Sequence, residues 1–118
     1  MTALLSHSVI EPQERAQASV IWIHGLGGQG KNFRPLLSQV KLNFPVRFVL
    51  PNAGKMHITL KDNQLMPAWY NVSEISGNHR HIDTAGFNQS VSQLQKIVEH
   101  EIALVGADKV ILAGFSQG

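Results

Sequence analysis

Cysteine is missing altogether from these 118 residues. That excludes a disulfide framework, thiolate catalysis and a cysteine-based metal site. Charge is also sparse, at 15% of residues with a formal net charge of +2, and the lysines and arginines are scattered. No nucleic-acid or anionic-membrane surface is implied. No apolar run approaches the ~18 residues of a membrane span, so stable membrane insertion is not expected. Met1 to Ile10 lacks the basic start and apolar core of a secretion signal. A cytoplasmic, soluble protein is the expectation. Repeats, low-complexity tracts and linkers are likewise missing. What is abundant is apolar side chain, 43% of the total, which argues against disorder.

Strand and helix signals alternate along the chain, which favours an α/β fold with a largely parallel sheet. His7 to Ile10 reads as a short edge strand, followed by a polar connection over Glu11 to Ala18. Ser19 to His24 reads as a buried strand, and Gly25 to Gly30 as a glycine-rich loop. Asn32 to Leu42 can form a helix with Phe33, Leu36, Leu37 and Val40 on one side. Val46 to Leu50 is a second buried strand, closed by Pro51-Asn52. Ile58 to Tyr70 suggests a hairpin around Lys61-Asp62-Asn63-Gln64. From about Thr84 to Val105, Phe87, Val91, Leu94, Val98, Ile102 and Val105 recur at helical spacing and predict a stripe packed on the sheet. Asp83 is the expected N-cap and Gly106 the expected C′ residue. Lys109 to Ala113 reads as a further buried strand.

Directly after that strand comes Gly114-Phe115-Ser116-Gln117-Gly118, a G-x-S-x-G pattern. This is the spelling of a nucleophile elbow, in which a serine sits on a sharp strand-to-helix turn. Such a turn leaves no room for Cβ atoms two residues either side, which accounts for glycine at 114 and 118. In this arrangement the triad follows the chain order Ser, Asp or Glu, His. Both partners of Ser116 are therefore expected beyond Gly118. An α/β domain bearing this motif commonly runs to roughly 200–250 residues, so residues 1–118 read as the N-terminal part of one domain.

The glycine-rich loop admits three readings. Gly25-Leu26-Gly27-Gly28-Gln29-Gly30 fits G-x-G-x-x-G between a strand and a helix, as a dinucleotide site requires. However, the second strand ends Leu50-Pro51-Asn52 without the acid that would hold a ribose, and only Arg47 is available for a 2′-phosphate. The loop also nearly spells a P-loop, but Asn32 stands where Ser or Thr should meet magnesium. Beside a serine elbow, His24-Gly25-Leu26-Gly27-Gly28 is better explained as an oxyanion-forming turn. An attacked acyl oxygen becomes negative and needs backbone N–H groups already aimed at it. One donor is the residue after the nucleophile, Gln117, and the other belongs to this loop.

Taken together, these blocks resemble the carboxylesterase, acyl-protein thioesterase and lysophospholipase family of small α/β-hydrolases. The resemblance rests on Val20-Ile21-Trp22-Ile23-His24-Gly25-Leu26-Gly27, Leu50-Pro51-Asn52-Ala53, Met66-Pro67-Ala68-Trp69-Tyr70, Asp83-x-x-Gly86 and Gly114-Phe115-Ser116-Gln117-Gly118. It covers nearly the whole chain but only about the first half of a family domain. Gly54 departs from a frequent proline. The resemblance implies an α/β-hydrolase fold with Ser116 as nucleophile, the Leu26 and Gln117 amides as oxyanion donors, and Trp69 beside the acyl site. It also implies hydrolysis of small-molecule, acyl-protein or lipid esters and thioesters without metal or cofactor.

Blander alternatives stand beside these. Trp69 is either an acyl-site aromatic or a core residue. His24 is either a base or, as its strand-end position favours, a brace for the loop. His79-x-His81 suggests a metal pair only weakly, since no clustered Cys or acidic ligands accompany it in what reads as a loop. The 118 residues alone, lacking general base and orienting acid, are expected to be inactive and marginally soluble. The rival to an enzyme is a non-catalytic fragment or degenerate homologue.

Overall fold

A computed structural model describes residues 4–118; the first residues of the Met1 to Ile10 segment lie outside the described residues. Its centre is a four-stranded sheet of β1 (His7–Ile10), β2 (Ala18–Ile23), β3 (Val46–Pro51) and β8 (Val110–Gly114), in the order β1-β3-β2-β8. β2, β3 and β8 run parallel, with Ser19 opposite Arg47 and Val110 at one end and Ile23 opposite Gly114 at the other. β1 is antiparallel to β3, pairing His7 with Pro51.

Alternation along the central strands builds two cores, one on each face of the sheet. Ala18, Val46, Phe48 and Leu50 pack with Leu37 on one face, flanked by Val20, Trp22 and Phe33. Ile21, Ile23 and Val49 pack with Trp69 and Ile97 on the other. A strand buried on both sides needs apolar residues at successive positions, which is why β2 and β3 read as near-continuous hydrophobic runs.

The first face is covered by less helix than the sequence suggests. A 3-10 turn over Gly30–Phe33 leads into the four-residue α1 (Arg34–Leu37), and the chain leaves helix at Ser38. Leu37 alone is buried there, whereas Leu36 and Val40 are 57% and 45% exposed. The expected helix to Leu42 is thus corrected to a single short turn.

The second face is covered by α2 (Thr84–Val105). Asp83 holds the extended N-cap backbone but makes no side-chain cap bond, and Gly106 ends the helix with φ +98°. Leu94 and Val98 of the expected apolar stripe pack against the sheet core, but the most deeply buried positions lie beside that stripe. Ser90, Ile97 and Glu101 are buried, while Phe87 and Val91 are 40% and 47% exposed. Two polar side chains claim the inner face because each has a partner there: Ser90 donates to the Trp69 carbonyl, and Glu101 accepts from Ser19 at 2.7 Å and Arg47 at 2.8 Å.

Between β3 and α2 the chain forms two hairpins. β4 (Lys55–Ile58) pairs with β5 (Gln64–Pro67), and Asp62 and Asn63 take positive φ in the turn. The Lys61 to Gln64 turn is as expected, with the first strand starting earlier. β6 (Val72–Ser76) pairs with β7 (His79–Ile82) through Gly77-Asn78. His79 and His81 therefore lie on an exposed strand rather than in a loop. Among the described residues β8 lies at the sheet edge, with Ile111 and Leu112 55% and 59% exposed.

Candidate active site

The C-terminal ends of β2, β3 and β8 converge at one edge of the sheet, the side on which parallel α/β sheets carry ligand sites. β8 runs into Phe115, whose N–H donates to the Ile23 carbonyl at 3.0 Å, and the Gly118 N–H closes the turn on the Phe115 carbonyl at 3.0 Å. Ser116 at the apex has φ +56°. That conformation is costly for a residue with a Cβ and persists only where surroundings over-determine it. The surroundings here do so by close approach. A Cβ on Gly118 would collide with the Ile23 and His24 carbonyls, and one on Gly114 with the Gly118 carbonyl.

The glycine-rich loop lies against this turn. A Cβ added at Gly25 would stand 3.1 Å from Ser116 Cβ and 3.1 Å from the Phe115 carbonyl oxygen. The loop is anchored by Gly27 N–H to Pro67 at 2.8 Å and Gly28 N–H to Gly25 at 3.2 Å. Among the described residues, the Leu26 and Gln117 amides donate to no protein acceptor. Four of the residues singled out by sequence are thereby drawn into one neighbourhood, since Trp69 joins it through Gln117.

His24 is fully buried and committed on both nitrogens. Nδ1 bonds the Gly25 carbonyl at 2.7 Å and Nε2 accepts the Ala53 N–H at 3.0 Å. The second bond needs a bare Nε2, so the proton sits on Nδ1. Burial lowers the imidazole pKa below its ordinary value, partly opposed by the Gly25 bond. A neutral ring with no free nitrogen is a brace, and a role as base is ruled out in this geometry.

Trp69 is 3% exposed. Its ring lies 4.9 Å from the His24 ring, its Nε1 donates to the His24 carbonyl at 2.7 Å, and its amide donates to Gln117 Oε1 at 2.8 Å. Sequence reading missed Ser90, Ala53 and the Gln117 side chain. None has a composition signal, because Ser90 and the Gln117 side chain act on main-chain groups and Ala53 acts through its own amide.

The nucleotide readings fail on the same geometry. The Gly27 and Gly28 amides are spent on main-chain carbonyls, and the Gly30 amide on Asn52 Oδ1 at 2.8 Å. A Cβ on Gly30 would collide with the Leu50 carbonyl, so this glycine serves strand packing. Asn32 accepts the Gln29 N–H at 2.7 Å, and the helix that follows has four residues. Arg47 is occupied by Glu101 and Glu11. Among the described residues, no group of three or more His, Cys, Asp or Glu is placed to hold a metal ion, and no helix is long and apolar enough to cross a membrane.

The sequence profile of the family described as Phospholipase/Carboxylesterase matches residues 5–118. The chain belongs to that family. It is 39% identical over 109 residues to acyl-protein thioesterase 1 of Candida albicans, covering 87% of this chain and 47% of the relative. Against acyl-protein thioesterase 1 of Schizosaccharomyces pombe the identity is 35%, covering all of this chain and 53% of the relative. The crystal structure of Zea mays acyl-protein thioesterase 2 superposes with a TM-score of 0.81 at 26% identity, covering 96% of this chain and 47% of that one. The fold is that of the α/β-hydrolases, and the chain spans about half the length of the curated relatives it matches.

Proposed function

We propose that this chain is the nucleophile-bearing part of a serine hydrolase acting on carboxylic esters or thioesters. The observation that carries the reading is Ser116, held at φ +56° against the Gly25 loop, with the Leu26 and Gln117 amides uncommitted among the described residues. Ser116 gives its proton to the general base and attacks the acyl carbonyl, and the two amides hold the oxyanion. Removing one such donor typically costs about 3–4 kcal/mol of barrier. Collapse of the oxyanion breaks the ester or thioester bond, expelling the protonated alcohol or thiol and leaving an acyl-serine. Water then releases the acid from the acyl-serine. This reading takes the general base and its orienting acid from outside residues 1–118; His24, whose carbonyl lies against the elbow, has both ring nitrogens engaged.

The thioesterase relatives support acyl-protein thioesters and small acyl esters as substrates, with lysophospholipids as a further candidate within the same chemistry. No cofactor or metal takes part. The cytoplasm is the proposed site of action, which fractionation of the full-length protein checks.

Ser116→Ala in the complete protein is expected to abolish hydrolysis of a short p-nitrophenyl ester and covalent labelling by a fluorophosphonate. Near wild-type turnover in that variant would sink the assignment. The non-catalytic alternative predicts no labelling of the parent protein at all.

A further inference from the structure

Within the esterase reading, the Gln117 side chain has work distinct from that of its main-chain amide. Oε1 accepts the Trp69 N–H at 2.8 Å, and Nε2 donates to the Tyr70 carbonyl at 2.6 Å. One partner is a donor and the other an acceptor, so the orientation of the side-chain amide is determined. Trp69 carries two further bonds. Its indole N–H donates to the His24 carbonyl at 2.7 Å, and its own carbonyl accepts the Ser90 hydroxyl from α2. The His24 carbonyl is the root of the loop that holds Leu26.

We propose that the Gln117 side chain and Trp69 form a cross-brace that sets the separation of the Leu26 and Gln117 amides. Both are positioning residues for the oxyanion site. The two amides belong to loops far apart in sequence, and Trp69 bonds to both loops. Trp69 and Ser90 are buried, at 3% and 8% exposure, so water cannot readily replace a lost bond. The elbow is strained at Ser116 and needs such outside support to keep its shape. Oxyanion donors act only when 2.7–3.1 Å from the developing charge, and a misplacement of about 1 Å can cost about a hundredfold in rate. This assigns buried Trp69 an effect on turnover, where an acyl-pocket role would act on substrate affinity.

The test uses the complete protein. Gln117→Met keeps the side-chain length and removes both bonds. It is expected to lower kcat for p-nitrophenyl acetate about 10–100-fold, with KM changed by no more than about twofold. Affinity for an aryl boronic acid, whose tetrahedral adduct places an oxygen between the two amides, should fall by a similar factor. Trp69→Phe keeps a ring but loses the His24 bond, and should show a smaller drop of the same kind. Unchanged kcat in folded Gln117→Met overturns the brace, as does a loss carried by KM. If Gln117→Met does not fold, Trp69→Phe decides alone, and unchanged kcat there overturns the proposal. Should Ser116→Ala remain active, the underlying esterase reading fails; should it be inactive while both brace variants behave as wild type, the brace alone fails.

Discussion

Ser116 can hold a left-handed backbone because Gly114 and Gly118 let the turn close on the end of β2. Substituting Gly118 forces a Cβ into the Ile23 and His24 carbonyls, and main chain cannot swing aside as a side chain can. In the complete protein Gly118→Ala is therefore expected to destabilise by about 1–3 kcal/mol, read as a lower denaturant midpoint, and to remove activity. Gly54 is the control: an added Cβ meets nothing within 4 Å, so Gly54→Ala should stay within about 0.5 kcal/mol. His24 yields a pH prediction at the same scale. Its folded pKa is lowered by burial, so the unfolded chain binds its proton first. The stability it contributes is complete above the unfolded value of about 6.5 and is lost as pH falls through the folded pKa. NMR should find this imidazole titrating below the ordinary histidine value of about 6.5, as the Nδ1–H tautomer at neutral pH. The G-x-S-x-G spelling made the elbow legible. The tautomer of His24 was not, because it depends on Ala53, which carries no chemistry of its own.

At the scale of elements, the joint between α2 and the sheet is polar at its far end. Burial pushes the Glu101 carboxyl upward, but hydrogen bonds from Ser19, Arg47 and His100 and the Arg47 charge outweigh it and hold the pKa below the ordinary value. Glu101 is 1% exposed, and glutamine in its place removes the charge that faces Arg47 while keeping one acceptor oxygen. Breaking a buried pair on one side costs about 3–5 kcal/mol. Arg47 keeps Glu11, a contact at the surface, so Glu101→Gln is expected near the lower figure, measured by urea unfolding. Since the folded pKa is depressed, this contribution is present above about pH 4.3 and is lost as pH falls through the folded value. The difference between wild type and Glu101→Gln should accordingly shrink in acid. Helix α2 was legible from its 3.6-residue period, down to Asp83 and Gly106. Leu94 and Val98 of the expected stripe do pack on the sheet; Ser90 and Glu101 escaped because they count as polar in any periodicity and are buried only through partners on Trp69, Ser19 and Arg47. The β6–β7 hairpin escaped for the opposite reason: its strands face solvent and show little apolar alternation, leaving Gly77-Asn78 as the sole signal.

For residues 4–118 taken together, the decisive feature is β8 at the edge of the described sheet. One side pairs with β2, and Ile111, Leu112 and Phe115 are each more than half exposed. Beside it, Ile21, Ile23, Val91, Leu94, Val98 and Leu112 line an apolar groove of about 320 Å³. An uncovered apolar edge strand is a template for pairing with other chains. The 118-residue polypeptide on its own is expected to self-associate as concentration rises, and light scattering should show Leu112→Lys reducing this. The same polypeptide should hydrolyse p-nitrophenyl esters no faster than its Ser116→Ala counterpart, because serine without a base is a weak nucleophile near neutral pH.

Order along the chain was enough to establish the α/β class, the two strands buried on both faces, the long helix and the serine turn, because period and turn chemistry are local properties. Tertiary structure alone decided which residues hold that turn in place. Gln117, Trp69, His24 and Ser90 meet through single hydrogen bonds between distant segments, and no local pattern encodes where a folded chain brings a donor to an acceptor.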